Sequence, residues 1–317
     1  MKNNKSKFQC AVYMGEEGIN IYSEDGRVLN LLNGNFVPFI PEWRIEKQED
    51  TKLPNIECVL GTDHSIRFEE PNHFFISGQF NDLVESSTIP YLIHYILESE
   101  RAKKGKATIH AAAVSKNGKG FLILGKQGSG KTSITLELCR KHGYSLIGND
   151  LVLVGMQNNI GYLYGGTKIF RIRSTTIKEY NSDLNHFFKS SDSDEWTRVT
   201  VIGPDKINVQ VERSVIPIHG IYYVHLYPQN YNFVAREVDK LFSRIFLYQI
   251  FSEYIRGSAI IPLIGKDLRF SDYIQSLDTK GSFQKRIKFI NWIINNDNYK
   301  YVAGALGDIC SFIKKNT

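Results

Sequence analysis

The chain has 317 residues, of which 42% are hydrophobic and 23% charged, and its formal net charge at pH 7 is +6. This length and composition predict a globular protein with a substantial core and about two domains. The mild charge, the absence of an apolar run of roughly eighteen residues and four dispersed cysteines exclude a dedicated nucleic-acid binder, a membrane-spanning helix and a disulfide or zinc framework. We therefore expect a cytoplasmic protein that binds neither nucleic acid nor membranes.

The N-terminal quarter of the chain predicts β-structure. Asp25-Gly26 is typical of a hairpin turn. Residues 38–54 are polar and contain several prolines, which favours a loop. We place a domain boundary near residue 84, with a small β-rich domain over 1–84 and a second domain over 85–317. Strand-like runs in the first domain lie at 8–14, 18–23, 27–32, 65–68 and 73–77.

The second domain begins with a helix and a predicted hairpin. Apolar residues recur at helical spacing from Ile89 to Leu97. Strands follow at 108–115 and 120–124, joined by Asn117-Gly118, a strong signal for a two-residue hairpin. The two strands are therefore predicted to be antiparallel neighbours. A doubly wound nucleotide-binding sheet has parallel neighbours joined by helices, so we expect a mixed sheet instead.

The strand at 120–124 leads into Gly-Lys-Gln-Gly-Ser-Gly-Lys-Thr, a complete G-x-x-x-x-G-K-T pattern at 125–132, and a helix is predicted from Thr132 to Lys141. Strand, glycine-rich turn and helix together form the context that a phosphate-binding loop requires. Lys131 would contact the β- and γ-phosphates, and the Thr132 hydroxyl would bind Mg²⁺. The pattern predicts a site for ATP and Mg²⁺. Its candidate nucleotide-binding residues are Gly125, Gln127, Gly128, Ser129, Gly130, Lys131 and Thr132.

Asn149-Asp150 follows the loop helix closely, after a short apolar strand at 144–147. A carboxylate here would complete the shell of Mg²⁺ or accept a proton, although Asn-Asp is equally typical of an ordinary turn. Arg171 and Arg173 alternate along a strand-like run and so share one face. Paired guanidinium groups suit phosphate oxygens, and the same pair is also typical of a charged surface.

The remainder of the chain predicts an alternation of strands and helices. Strands are expected at 151–154, 161–164, 199–202, 209–211 and 221–226. Helices are expected at 238–254, 284–295 and 302–313. Their apolar stripes indicate core positions and carry no functional prediction.

Residues 108–154 resemble the catalytic core of the HPr kinase/phosphorylase family in the order of their features: histidine on the first strand, hairpin, phosphate-binding loop, helix and acidic turn. They look most like its shorter relatives, such as the kinases of lasso-peptide gene clusters. The resemblance implies an α/β fold with a mixed-sheet P-loop kinase core of the phosphoenolpyruvate carboxykinase type, preceded here by the small N-terminal β-rich domain.

The resemblance also implies roles for particular residues. His110 matches the family's histidine near the phosphates, although a lone histidine on an apolar strand is more often a core residue. Lys131 and Thr132 match the phosphate-binding lysine and the metal-binding hydroxyl. Asn149 and Asp150 fall on a pair of aspartates that act as general base and metal ligand. Because an amide cannot accept the proton, either Asp150 takes that role or catalysis relies on positioning.

Three functions follow as hypotheses. The first is an ATP- and Mg²⁺-dependent kinase whose acceptor is a serine hydroxyl of a peptide or protein, the acceptor class that the resemblance supplies. The second is a kinase of a small-molecule hydroxyl, such as a sugar, a nucleoside or a biosynthetic intermediate. The third is a non-catalytic nucleotide-binding regulatory protein in which Asn149 marks lost chemistry. The sequence leaves the oligomeric state open, with a homo-oligomer among the expectations.

Overall fold

The structure is a computed structural model that describes residues 8–34, 37–47, 50, 52–69, 72–85, 88–188, 198–227, 231–256 and 276–317. It is a mixed α/β structure whose larger sheets combine parallel and antiparallel pairs. By its internal contacts the chain divides into two units. The first contains Met1–Ala107 and Phe251–Arg286, and the second contains Thr108–Ile250 and Ile287–Thr317.

A six-stranded mixed sheet forms the framework of the first unit, in the order β3-β1-β2-β4-β6-β5. Its parallel pairs are β2 with β4 and β4 with β6. Strands β3 and β4 were not predicted from the sequence, and β3 lies inside the stretch that was predicted to be a loop. The strands are β1 (Phe8–Met14), β2 (Glu17–Ser23), β3 (Trp43–Glu46), β4 (Asn55–Leu60), β5 (Ser65–Glu69) and β6 (His73–Gly78).

The predicted strand at 27–32 is wrong, because the chain there forms α1 (Gly26–Asn30) and a 3-10 turn, Leu31–Asn33. The Asp25 carboxylate accepts a hydrogen bond from the Arg27 N–H at 2.9 Å, and the Asp25 carbonyl accepts one from Val28 at 3.0 Å. Aspartate in this position satisfies the free N–H groups of a helix start. A second 3-10 turn lies at Val37–Phe39.

Helices α2 (Phe80–Glu85) and α3 (Thr88–Lys103) follow the sheet. The apolar stripe of α3 is fully buried, as Leu92, Ile93 and Leu97 show, and belongs to the same core as the strands of the first unit. The boundary expected near residue 84 would separate this helix from the sheet that buries it. By its contacts the chain divides after Ala107 instead.

A nine-stranded mixed sheet forms the framework of the second unit, in the order β10-β8-β9-β15-β12-β11-β7, with β17 beside β15 and β16 beside β17. Its strands are β7 (Lys106–His110), β8 (Ala112–Lys116), β9 (Lys119–Leu124), β10 (Ser145–Gly148), β11 (Leu151–Gln157), β12 (Ile160–Gly166), β15 (Ile216–Leu226), β16 (Val234–Glu237) and β17 (Tyr299–Gly304). Strands β13 (Phe170–Arg173) and β14 (Val199–Ile202) form a separate two-stranded sheet.

The helices outside the first unit's N-terminal part are α4 (Lys131–Lys141), α5 (Ser174–Tyr180), α6 (Lys240–Ser252), α7 (Lys280–Ile294) and α8 (Leu306–Lys315). The three unit boundaries fall within β7, α6 and α7. Two 3-10 turns lie at Ser182–Phe187 and Pro204–Ile207. Residues from α4 and α8 pack into one buried core with β8 and β9.

Three sequence predictions for this region change. The strand expected at 108–115 is two strands, β7 and β8, which break at Ala111 and belong to distant parts of the sheet. The helix expected at 302–313 begins only at Leu306, because 299–304 pairs in parallel with β15. Residues 209–211 form no strand, and Val211 makes one isolated bridge with Leu146.

The hairpin that precedes the glycine-rich turn at 125–130 is confirmed. Strands β8 and β9 are antiparallel, and both Asn117 and Gly118 have positive φ. On its other side β9 pairs in parallel with β15. Within the part of the chain that the structure describes, no helix is long and apolar enough to cross a membrane.

Candidate functional site

Residues 125–130 connect β9 to α4, and the end of β15 supports this turn. The Leu226 N–H donates to the Ser129 carbonyl at 2.9 Å. Gly130 precedes the helix with φ 91°, and a Cβ atom there would lie 2.4 Å from the Leu226 Cβ. Only glycine combines this left-handed backbone with so close an approach. The turn is thus held against the strand that neighbours β9.

Lys131 is buried and its ammonium group points back into the turn. The Nζ atom donates to the Gly125 carbonyl at 2.8 Å and to the Lys126 carbonyl at 3.1 Å. Burial lowers the pKa of Lys131 to about 8, and the negative charge of Asp150 opposes this shift. A phosphate group would supply the countercharge that the burial of this ammonium lacks.

Ser129 and Thr132 complete the polar lining of the turn. The Ser129 Oγ is buried and has no hydrogen-bond partner among the described residues. Thr132 is half-buried in the first turn of α4, whereas Gln127 and Gly128 are exposed at the tip. The free N–H groups at this helix end carry partial positive charge, which favours an anion.

Asp150 and His110 face each other next to this turn. The His110 Nε2 lies 3.0 Å from the Asp150 Oδ1, and the carboxylate side chain is 44% exposed. The hydrogen bond from His110 holds the pKa of Asp150 below its ordinary value; burial opposes this shift, and the positive charges of Lys131 and Arg171 add to it. Asp150 is therefore a carboxylate at neutral pH that remains accessible to a ligand.

The backbone around Asp150 is fixed by Thr167. The Thr167 hydroxyl donates to the Asn149 carbonyl and accepts the Leu151 N–H at 3.2 Å. The Thr167 backbone bonds both neighbours as well: its carbonyl accepts the Asn149 N–H at 2.8 Å, and its N–H donates to Leu151 at 2.9 Å. These bonds hold Asp150 at φ 79°, a left-handed conformation that is uncommon outside glycine.

A close approach of two strands allows this arrangement. A Cβ atom on Gly166 would lie 2.4 Å from the Leu151 carbonyl oxygen. Any side chain at 166 would therefore push β12 away from the turn that carries Asp150. The glycine lets Thr167, the next residue, reach the turn.

Asn149 is turned away from Asp150 and into the interior. Its side chain is 1% exposed, and its Nδ2 donates to the Ile169 carbonyl at 3.2 Å. The amide oxygen is buried and has no partner within the described chain. Of the two residues that match the family's acidic pair, only Asp150 presents its polar group to solvent.

Arg171 and Arg173 lie on the exposed face of β13, while Phe170 and Ile172 on its other face are buried. Arg171 is close enough to Asp150 to lower the pKa of that carboxyl. Arg173 lies two residues further along the strand, and no contact brings it to Asp150 within the described part of the chain. The structure thus brings together His110, Lys131, Asp150 and Arg171, and leaves Arg173 outside this group.

The arrangement has the chemistry that a magnesium nucleotide needs. Mg²⁺ is commonly held by one or two protein oxygens together with phosphates and water. The Thr132 hydroxyl and the Asp150 carboxylate are such oxygens. Among the described residues no group of three or more His, Cys, Asp and Glu side chains forms a metal cage. This donor set fits a hydrated cation on a phosphate ligand and does not fit an all-protein metal site.

Two residues on which the site depends, Thr167 and Leu226, carry no mark in the local sequence. Each acts through a contact between segments that are distant along the chain, and no local pattern marks such a contact. The glycine pair at 165–166 is the sequence signal that could have indicated a close approach of strands.

Comparison with known proteins gives little beyond this geometry. No protein-family model matches the chain, and no curated protein does. Among solved structures, the chain is similar to the Hpr(Ser) kinase/phosphatase from Coxiella burnetii, with 17% identity over 41% of this chain and 77% of that one and a TM-score of 0.24. A likeness of this size does not establish a shared fold.

Proposed function

We propose that this chain is an ATP- and Mg²⁺-dependent kinase that transfers the γ-phosphoryl group of ATP to a hydroxyl group, with a serine of a peptide or protein as the acceptor. The observation that carries the proposal is the placement of Asp150. This carboxylate is partly exposed and hydrogen-bonded to His110, and it interacts electrostatically with Lys131 of the glycine-rich turn. We expect the protein to work in the cytoplasm, where ATP is available.

The glycine-rich turn would bind the triphosphate. Its backbone N–H groups and the start of α4 offer donors and partial positive charge to phosphate oxygens. The Lys131 ammonium would exchange its carbonyl partners, Gly125 and Lys126, for β- and γ-phosphate oxygens. Mg²⁺ held by Thr132, Asp150 and the phosphates would neutralise charge that develops during transfer.

In the reaction, the acceptor oxygen forms a bond to the γ-phosphorus while the bond from this phosphorus to the β–γ bridging oxygen breaks. ADP leaves, and the hydroxyl loses its proton. The oxygen of Asp150 that does not face His110 is the group in this site that would orient the hydroxyl and take that proton. Its low pKa suits a late proton transfer, since a loose transition state requires little base assistance. Asn149 takes no part, because its amide faces the interior.

The choice of a serine acceptor rests on the resemblance of residues 108–154 to peptide and protein kinases of the HPr kinase type. The residues that would recognise the acceptor lie outside that segment. The acceptor class is therefore the part of the proposal that most needs a direct test.

The experiment supplies the full chain with γ-labelled ATP, Mg²⁺ and a library of serine-containing peptides, and in parallel with sugars and nucleosides. We expect label on peptide serine, and none with Lys131→Ala, which removes the ammonium from the phosphate site. Label on a sugar or nucleoside alone would contradict the peptide acceptor and support the small-molecule kinase. ATP binding without transfer to any acceptor would contradict the kinase and support a nucleotide-binding regulatory protein.

A further inference from the structure

We propose that the stacked rings of His225, Tyr227 and Tyr231 form the subsite for the base of the bound nucleoside triphosphate. The inference rests on the proposed function, and it adds a location and a chemistry for the part of the ligand that the glycine-rich turn does not bind. The name "aromatic stack" is used below for these three residues.

The base of the nucleotide lies at the end of the ligand that is remote from the γ-phosphate. The proposed chemistry places the γ-phosphate toward Asp150, in the turn between β10 and β11. The ends of β15 and β17 also border the glycine-rich turn and carry no residue of that catalytic group. The base subsite is therefore sought at these strand ends.

The aromatic stack lies next to the turn, at the end of β15. The last paired residues of β9 and β15 are Leu124 and Tyr223, so His225 is level with Lys126 of the turn. The contact from Leu226 to Ser129 fixes the end of β15 against the turn. Neighbouring strands lie about 5 Å apart, so the backbone of His225 is roughly one strand spacing from the backbone of Lys126.

The three rings are already ordered for stacking. The ring centroids of His225 and Tyr227 are 4.4 Å apart at 20°, and those of Tyr227 and Tyr231 are 4.8 Å apart at 21°. The Tyr227 N–H donates to the Gly304 carbonyl at 2.9 Å, which fixes the backbone of the middle residue to the end of β17. The ring at the outer end, Tyr231, is 58% exposed.

An exposed aromatic face on an ordered stack is a platform for a planar base. The ring face binds the base through stacking, which tolerates different bases because every base has a π-face. We therefore expect the base to add to the face of Tyr231 as a fourth ring. ATP and GTP should bind with affinities within a few-fold of each other.

The test compares two ligands, ATP and inorganic tripolyphosphate, each with Mg²⁺, by calorimetry on the full chain. Tyr231→Ala should weaken ATP roughly 5- to 150-fold, the range for loss of one base–aromatic stack, and leave tripolyphosphate unchanged. Tyr231→Phe keeps the ring face and should restore ATP binding. Tyr162→Ala is the matched control, because Tyr162 pairs with Pro217 near the opposite end of β15.

Each other outcome has a defined meaning. If His225→Ala weakens ATP binding and Tyr231→Ala does not, the base stacks on His225 at the other end of the aromatic stack, and the subsite proposal is supported. ATP affinity unchanged in both variants, or reduced equally for both ligands, overturns the subsite and leaves the proposed kinase intact. A wild-type chain that binds neither ligand overturns the proposed function itself.

Discussion

At the scale of single residues, two neighbouring side chains leave one turn in opposite directions. Asn149 enters the interior and donates to Ile169, whereas Asp150, at positive φ, reaches solvent beside His110. Thr167 bonds the backbone on both sides of Asp150. The consequence is that position 149 is structural in this chain and position 150 holds the available carboxylate.

This leads to a prediction for Asn149→Asp, the change that would create an acidic pair like that of the kinases which residues 108–154 resemble. A carboxylate oxygen would replace the amide donor 3.2 Å from the Ile169 carbonyl, and both atoms would be acceptors. We expect a loss of about 1–3 kcal/mol in the free energy of unfolding and no gain in transfer rate. The loss should be smaller in mildly acidic than in alkaline buffer, because protonation restores a donor.

Urea unfolding and the transfer rate measure the two parts of this prediction. Asn159→Asp is the control, since Asn159 is an exposed turn residue at φ 62°. A variant at 149 that is as stable as the wild type and faster would place this side chain at the nucleotide instead.

The residues of the glycine-rich turn could be identified from sequence because the motif is contiguous and its neighbours predict strand and helix. His110 and Asp150 were each selected by the family resemblance, and the contact between them is a finding of the structure. The inward orientation of Asn149 and the role of Thr167 could not be predicted, because both depend on a hydrogen-bonded contact between β11 and the end of β12.

At the scale of elements, the position of the glycine-rich turn depends on the end of β15. Local patterns predicted β8, β9 and α4 well, since a hairpin turn separates the two strands and a glycine-rich motif separates β9 from the helix. Local patterns failed where a strand's pairing partner is distant along the chain. Residues 299–304 form β17 because they pair with β15. Strands β7 and β8 separate at Ala111, whose N–H donates to the Asp150 carbonyl. Such choices depend on sheet order, which local periodicity does not contain.

Gly130→Ala tests the contact between the turn and β15. The alanine would need a positive φ and would place its Cβ 2.4 Å from Leu226, so we expect destabilisation of about 2–5 kcal/mol together with loss of ATP binding. Gly143→Ala also requires positive φ, at 67°, but has open space around it and should cost only about 1–2 kcal/mol.

Thermal unfolding with and without ATP reports both effects. In a Leu226→Gly background the added cost of Gly130→Ala should be smaller than in the wild type, because glycine lacks the Cβ and the outer carbons that the new methyl group meets. Equal costs at positions 130 and 143 would show that Leu226 does not constrain the turn.

At the scale of the whole molecule, the chain builds two cores, one on each large mixed sheet. A mixed sheet in the second unit was predicted from a single hairpin, and the β-rich N-terminal region from alternating runs. The assignment of Phe251–Arg286 to the first unit could not be predicted, because the chain returns to that unit after most of the second. The candidate site lies entirely within the second unit, which contains the glycine-rich turn, His110 and Asp150.

The rate of γ-phosphoryl transfer by Asp150→Asn, with the serine acceptor or with water in its place, tests the role of this carboxylate. We predict a loss of roughly 10²–10⁴-fold, because the variant lacks the anionic group that would bind Mg²⁺ and orient the acceptor hydroxyl. ATP binding in the absence of Mg²⁺ should stay within a few-fold of wild type. Asp297→Asn, at an exposed carboxylate, is the control and should keep the wild-type rate. A rate for Asp150→Asn close to that of wild type would show that the Asp150 carboxylate takes no part in phosphoryl transfer.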